Sequence, residues 1–238
     1  MRVEIWSDIA CPWCYVGKAR FEQALAAFPH RDRVEVVHRS FELDPHRAKD
    51  DVQPVLTMLT AKYGMSQAQA QAGEDDLGAQ AAAAGLDYRT RGRDHGNTFD
   101  MHRLLHFAKE QGRQSALLDA LYRANFAEER SVFTEGDARL VELAAGAGLD
   151  ADAVRAVLAD PAAYADEVRA DEREAAQLGA NGVPFFVLDR AYGVSGAQPA
   201  EVFAQALTQA WGERPPLTLV PAGDGDACGP DGCAVPRD

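Results

Sequence analysis

The chain has 238 residues, 47% of them hydrophobic, enough for one large domain or two small ones with a true core. Its formal net charge of −13, from 37 acidic against 24 basic residues with no Lys/Arg cluster, argues against a nucleic-acid or anionic-membrane surface. No apolar run approaches the roughly 18 residues of a membrane span, and no secretory pattern of basic start, apolar stretch and small-residue cleavage site is visible, so the chain reads as cytoplasmic.

Residues 2 to 7 read as a strand, with Val3 and Ile5 and with Trp6 beside them. Residues 11 to 28 read as a helix with Ala19, Phe21, Leu25 and Phe28 among its apolar positions, stopped by Pro29. Val34, Val36 and Val37 begin a second strand running to about Phe41, and Leu43-Asp44-Pro45 leaves it through a turn. A strand, helix, strand unit of this length implies a parallel pair with a right-handed crossover.

From about residue 46 to residue 178 strand-like runs vanish, and alanine, leucine and charged residues dominate. Val55, Leu56, Met58 and Leu59 predict a helix closed near Gly64, and residues 66 to 84 form a Gln- and Ala-rich, strongly helix-prone tract. Further helices are predicted over 97 to 111, 114 to 129, 136 to 146, 150 to 159 and 161 to 178, the last with Asp160 as cap and Pro161 in its first turn. Strand chemistry returns at Phe185 to Leu188 and at Tyr192 and Val194, joined by a tight Asp189-Arg190 turn into a hairpin. A helix over about 200 to 211 follows, and after Trp211 the composition turns to Pro, Gly and Asp, as expected of a mobile tail. The simplest architecture is one α/β domain, built from both ends of the chain and interrupted by a helical insertion. Its boundaries are 1–45 with 179–213 for the sheet domain, 46–178 for the insertion and 214–238 for the tail.

The chemistry concentrates at Cys11-Pro12-Trp13-Cys14, between the first strand and the first helix. Two thiols on one turn can open and close a disulfide with little backbone movement. A helix N-terminus presents unpaired N–H groups and partial positive charge, which stabilises a thiolate, the reactive form of cysteine. Pro12 suits the first helical position, where its missing N–H costs nothing. Strand, CxxC, helix is the layout of a thiol–disulfide exchange site, favoured here over a zinc knuckle or incidental core cysteines. Trp13 either covers the site and gives substrates an apolar contact or packs.

The ordered set of Cys11 to Cys14 after a first strand, a long helical stretch, and Gly182-Val183-Pro184 before a hairpin resembles the DsbA-like branch of the thioredoxin fold. Trp6-Ser7-Asp8, Phe41-Glu42-Leu43-Asp44-Pro45, Asn97-Thr98-Phe99-Asp100 and Gly196-Ala197-Gln198 resemble the FrnE-type oxidoreductases. That group is similar to 2-hydroxychromene-2-carboxylate isomerases and kappa-class glutathione transferases. The resemblance spans about residues 1 to 212 and implies a thioredoxin-like domain interrupted by a large all-helical insertion. It implies Cys11 as exposed nucleophile, Cys14 as resolving thiol, Pro184 as the cis-proline facing the pair, and Val183 as a backbone contact for an extended substrate. His102 would sit on a helix facing the site and touch substrate. DsbA itself has histidine between its cysteines where this chain has Pro12 and Trp13, so strong oxidising power is not carried over. The isomerases typically carry serine where Cys11 stands.

Three functions follow in order of fit. They are a thiol–disulfide oxidoreductase acting on a protein or small-molecule disulfide; a glutathione-dependent isomerase or transferase; and a redox-regulated chaperone. The first needs no bound cofactor, only glutathione, another thiol or a thiol reductase as electron partner. A second pair, Cys228 and Cys233, is separated by a turn-forming Gly-Pro-Asp-Gly, and its tail, at about 3.3 Å per extended residue, reaches about 50 Å, enough to visit Cys11 as a relay. No metal is expected: His102 and His106 have ligand spacing but no HExxH glutamate, and Glu74-Asp75-Asp76 reads as a solvated helix face.

Overall fold

The computed structural model describes residues 1–213. Its four-stranded sheet has the order β2-β1-β5-β6, from β1 (Arg2–Ser7), β2 (Glu35–Ser40), β5 (Phe185–Leu188) and β6 (Tyr192–Ser195). The helix α1 (Pro12–Ala27) carries the chain from β1 to the parallel β2, while β5 runs antiparallel to β1 and pairs with β6. Asp189 and Arg190 turn that hairpin with φ of 46° and 58°, as the tight turn requires. Between β2 and β5 lie α2 (Val55–Tyr63), α3 (Gln67–Ala83), α4 (Phe99–Glu110), α5 (Gln114–Phe126), α6 (Asp137–Gly146), α7 (Ala151–Ala159) and α8 (Ala165–Gln177); α9 (Ala200–Gly212) follows β6. This is the expected thioredoxin-like α/β fold with a helical insertion.

The alternation of β1 explains the layers. Val3 and Ile5 face α1 and α9, where Phe21, Phe28, Phe186, Phe203 and Leu207 close a core. Trp6 faces the other way, onto Ala175 of α8 and Val187, and its indole N–H donates to the Asp171 carbonyl at 2.9 Å. Glu4, on the same side as Trp6, is buried and paired with Arg39 and Arg190, while Arg39 also reaches Asp171 at 2.9 Å. The insertion has its own core around Leu104, Leu117, Leu121, Phe126 and Val154, and Cys11 and Cys14 pack into it. The edge strand β2 is closed by the insertion rather than by another strand. The Gln114 side chain accepts from the His38 N–H at 3.2 Å and donates to the His38 carbonyl at 2.9 Å, and Asp171 takes the Ser40 N–H at 2.8 Å.

Most predicted helices hold to within a few residues, and three details differ. A short antiparallel ladder, β3 (Gln53–Pro54) with β4 (Asp94–His95), lies inside the stretch expected to be purely helical. The predicted helix over 161 to 178 starts only at Ala165. Pro161 sits in a turn because the Asp160 carboxylate caps the Ala162 N–H at 3.0 Å and the Arg103 guanidinium gathers the carbonyls of Val157, Asp160 and Ala163. The helix predicted over 114 to 129 ends at Phe126, after which the Phe126 carbonyl accepts the Arg89 N–H at 2.7 Å.

Burial holds the His38 imidazole neutral, with the Lys18 charge adding to the effect, and pushes its pKa down to about 3. The unfolded chain therefore takes up a proton at His38 below about pH 6.5 that the folded chain refuses until about pH 3. Stability should fall as pH drops through this window, by at most about 1.4 kcal/mol per unit. Urea unfolding between about pH 7 and about pH 5 should show that slope, and His38→Gln should flatten it.

Candidate active site

Cys11 is the N-cap residue of α1, with φ −89° and ψ 110°, and its carbonyl accepts the Cys14 N–H at 3.0 Å. Pro12 occupies the first helical position. The Cys11 thiol donates to the Val183 carbonyl at 3.6 Å, and the Val183–Pro184 peptide bond is cis. The Pro184 ring lies so close to α1 that a Cβ on Gly17 would stand 2.9 Å from its Cγ, so the glycine permits the approach. The Val183–Pro184 segment thus lies against Cys11 and the first turns of α1.

Cys11 is not an exposed residue: it is 5% exposed and Cys14 is 1% exposed, because both pack into the insertion core. Access comes through a cavity of about 420 Å³ whose wall includes Cys11, Pro12 and Trp13 and is otherwise supplied mainly by α2 and α3. Cys14 lies behind that wall. The two cysteines are free thiols. Burial pushes the Cys14 thiol well up, and its hydrogen bond to Cys11 and the charge there push it further. Cys14 therefore stays protonated and donates toward Cys11.

Beneath the pair sits Asp8, 1% exposed, between β1 and α1. Its carboxylate accepts the N–H of Ala10 at 3.2 Å and of Leu43 at 2.7 Å, and faces His102 Nε2 at 3.4 Å. Burial alone would raise the Asp8 pKa; the hydrogen bond and charge of His102, with the Leu43 N–H and Thr98, outweigh it and hold Asp8 below its ordinary value. Tyr122 closes the floor, and burial first, then the neighbouring Cys14, push its phenol up.

His102, expected to touch substrate, is instead 1% exposed, lies outside the cavity wall and turns its Nε2 to Asp8. His106 is likewise packed, against Ser40 and Asp171, each at 3.1 Å. Of the expected solvated acidic face, Asp75 and Asp76 are exposed, whereas Glu74 is buried against the Arg93 guanidinium and the Tyr88 hydroxyl and lines the cavity. No group of three or more His, Cys, Asp or Glu placed to hold a metal occurs among the described residues. Cys228 and Cys233 lie outside the described residues. Sequence reasoning missed Arg93, His95 and Asn125 of the cavity wall, which carry no local signature.

A four-stranded sheet with a dithiol turn at the head of its first helix, a cis-proline loop against it and seven helices inserted between β2 and β5 is a thioredoxin-like fold with a large helical insertion. The chain belongs to the DSBA-like thioredoxin domain family, which matches residues 2–208. It is 85% identical to the probable DsbA oxidoreductase SCO1869 of Streptomyces coelicolor, with TM-score 0.92 and full coverage of both chains. The uncharacterized protein YwbO of Bacillus subtilis (strain 168) is 28% identical over 210 residues, covering 87% of this chain and 96% of that protein. The fold is shared with a 2-hydroxychromene-2-carboxylate isomerase at TM-score 0.64 and 16% identity, over 88% of this chain and 95% of that one. No helix among the described residues is long and apolar enough to cross a membrane.

The burial and the charges that raise Cys14 include the Asp8 carboxylate. Removing that charge in Asp8→Asn, with Cys11→Ser, Cys228→Ser and Cys233→Ser as background so that Cys14 is the one thiol left, should move the Cys14 titration downward. Thiolate ultraviolet absorbance followed against pH reads this directly; an unmoved titration would separate Asp8 from the pair.

Proposed function

We propose that this chain is a thiol–disulfide oxidoreductase working through Cys11 and Cys14. The observation that carries the reading is the asymmetry of the pair: the Cys11 side forms part of a cavity wall, while Cys14 lies buried behind it as a protonated thiol. In substrate reduction, the Cys11 thiolate, at the positive end of α1, attacks one sulfur of a disulfide. The Cys11–substrate S–S bond forms, the substrate S–S bond breaks, and the first substrate thiolate leaves and takes a proton from solvent. Cys14 then attacks Cys11 Sγ, the Cys11–substrate S–S bond breaks, and the proton that Cys14 gives up passes to the departing substrate sulfur. The Cys11–Cys14 disulfide forms and the second substrate thiol departs, so two electrons have passed from the dithiol to the substrate. An external thiol, glutathione or a thiol reductase restores the pair, and the same steps run backwards when the substrate is a dithiol.

Trp13 and Pro12 present the mouth of the site to the substrate. Val183, whose carbonyl now holds the Cys11 thiol, is freed for a substrate backbone once that thiol ionises. The setting we favour is the reducing cytoplasm, where thiols are the resting form. Cys228 and Cys233 act in this reading as a second dithiol exchanging with the first.

Cys14→Ser should trap the mixed disulfide between Cys11 and substrate, seen as a stable adduct by mass spectrometry, and should lower turnover by orders of magnitude. Cys11→Ser should form no adduct on Cys14. An adduct on Cys14 in the Cys11→Ser protein, or undiminished turnover in Cys14→Ser, would reverse the assigned roles. Cys228→Ser with Cys233→Ser should slow re-reduction of the Cys11–Cys14 disulfide and leave adduct formation in Cys14→Ser intact; unchanged re-reduction removes the relay.

A further inference from the structure

The exchange steps leave one buried polar group beside the cysteine pair unused, the hydroxyl of Tyr122. Tyr122 belongs to α5, and α5 is tied to the dithiol turn. Asn125, three residues on along the same helix face, donates through Nδ2 to the Ile9 carbonyl at 2.8 Å. The Tyr122 side chain is 1% exposed and packs in one cluster with Cys11 and Cys14. Its ring lies against Tyr15, the residue after Cys14, with centroids 5.6 Å apart, and against Phe126 at 6.0 Å. Neither Tyr122 nor Cys14 is part of the cavity wall, so the phenol stands behind the wall with Cys14.

That hydroxyl is buried and makes no hydrogen bond in the dithiol state. The Ser7 side chain lies beside it, yet no bond closes between them. A buried hydroxyl without a partner is a cost to the fold, which phenylalanine at the same place would avoid. Phe126, one turn later in the same cluster, shows that this core accepts a bare ring. The resting state explains the missing partner. Cys14 is a neutral thiol whose proton is directed to Cys11, and a neutral thiol is a weak acceptor. In the resolving step the Cys14 sulfur gives up that proton and takes on negative charge, for which a phenol O–H is a charge-assisted donor. Burial, with Cys14, Cys11 and Asp8 near it, keeps the phenol protonated and therefore able to donate.

We propose that Tyr122 is a catalytic residue of the resolving step, its hydroxyl donating to the Cys14 sulfur as charge develops there. The inference rests on the oxidoreductase reading above. The phenol keeps its own proton throughout. The Cys11–Cys14 bond forms, the Cys11–substrate bond breaks, and the Cys14 proton passes to the departing substrate sulfur. The first attack, by Cys11, does not involve Tyr122. The unpartnered hydroxyl thus lowers the stability of the resting dithiol and speeds one step of the reaction.

The test uses the full-length chain with Cys228→Ser and Cys233→Ser as parent, and bis(carboxynitrophenyl) disulfide as substrate, whose thiolate product is coloured. In stopped flow, the first coloured thiolate released reports attack by Cys11, and the second reports resolution by Cys14. Tyr122→Phe should release the first at the parent rate and slow the second by about tenfold or more, the loss expected for a hydrogen bond to a charged group. With Cys11→Ser added, Tyr122→Phe should move the Cys14 titration upward, read by thiolate ultraviolet absorbance. Urea unfolding of Tyr122→Phe should occur at an equal or higher midpoint than in the parent, since an unpartnered hydroxyl is removed. Ser7→Ala should leave both releases at the parent rate. A second release unchanged in Tyr122→Phe, a Tyr122→Phe protein less stable than its parent, or a second release slowed as much by Ser7→Ala would overturn the inference and leave the exchange reaction standing. No first release in the parent, or a first release that survives Cys11→Ser, would instead refute the exchange reading itself.

Discussion

The site depends on one buried carboxylate. Asp8 stands where β1 ends, and its two oxygens collect the Ala10 N–H, the Leu43 N–H and the ring of His102. These three partners belong to the turn that leads into the cysteine pair, the segment leaving β2, and α4 of the insertion. A charge buried this deeply is tolerable only when such partners are present, so burial and pairing enforce each other. One side chain therefore pins the head of α1, one lip of the cavity and the helical layer to each other. Leu43, held through its backbone by Asp8, is itself part of the cavity wall.

The sheet and the insertion are bound along a second seam of the same kind. Glu4, Arg39, Asp171, Glu174 and Arg190 form a half-buried network, with Trp6 under the guanidinium groups of Arg39 and Arg190. Asp171 widens this second seam, since it also meets His106 of α4 and the Ser40 N–H. Gln114 completes the join by behaving as a short strand against the edge of β2. The consequence for chemistry is that Cys11 and Cys14 lie at the boundary between two cores. The α1 helix supplies the sulfurs, the strand side supplies the proline loop, and the insertion supplies the space in front of Cys11.

The strands were legible because Val3, Ile5 and Phe185 to Leu188 follow strand patterning, and the helices because apolar positions recur at helical spacing. The cysteine pair was legible from its place between strand and helix. The position of Pro184 beside it came only through resemblance, since nothing local distinguishes it from any proline before a strand. What stayed hidden was decided by long-range partners. Glu74 sits among acidic neighbours and looks solvated until Arg93 and Tyr88 fold onto it. Pro161 looks like a helix start until Arg103 claims the surrounding carbonyls. The burial of Cys11 and the placing of His102 on Asp8 follow from packing against the insertion, which periodicity does not encode.

The central claim is that Cys11 and Cys14 form a reversible redox couple in which Cys11 meets the substrate. A glutathione redox titration of the full chain, with thiol trapping and peptide mass mapping at each poise, tests it most directly. The account predicts a single cooperative conversion of Cys11 and Cys14 between dithiol and intramolecular disulfide, with any glutathione adduct transient and on Cys11. A stable glutathione adduct on Cys11 with Cys14 left as an unreacted thiol would contradict it and favour a glutathione-dependent reaction on the same fold.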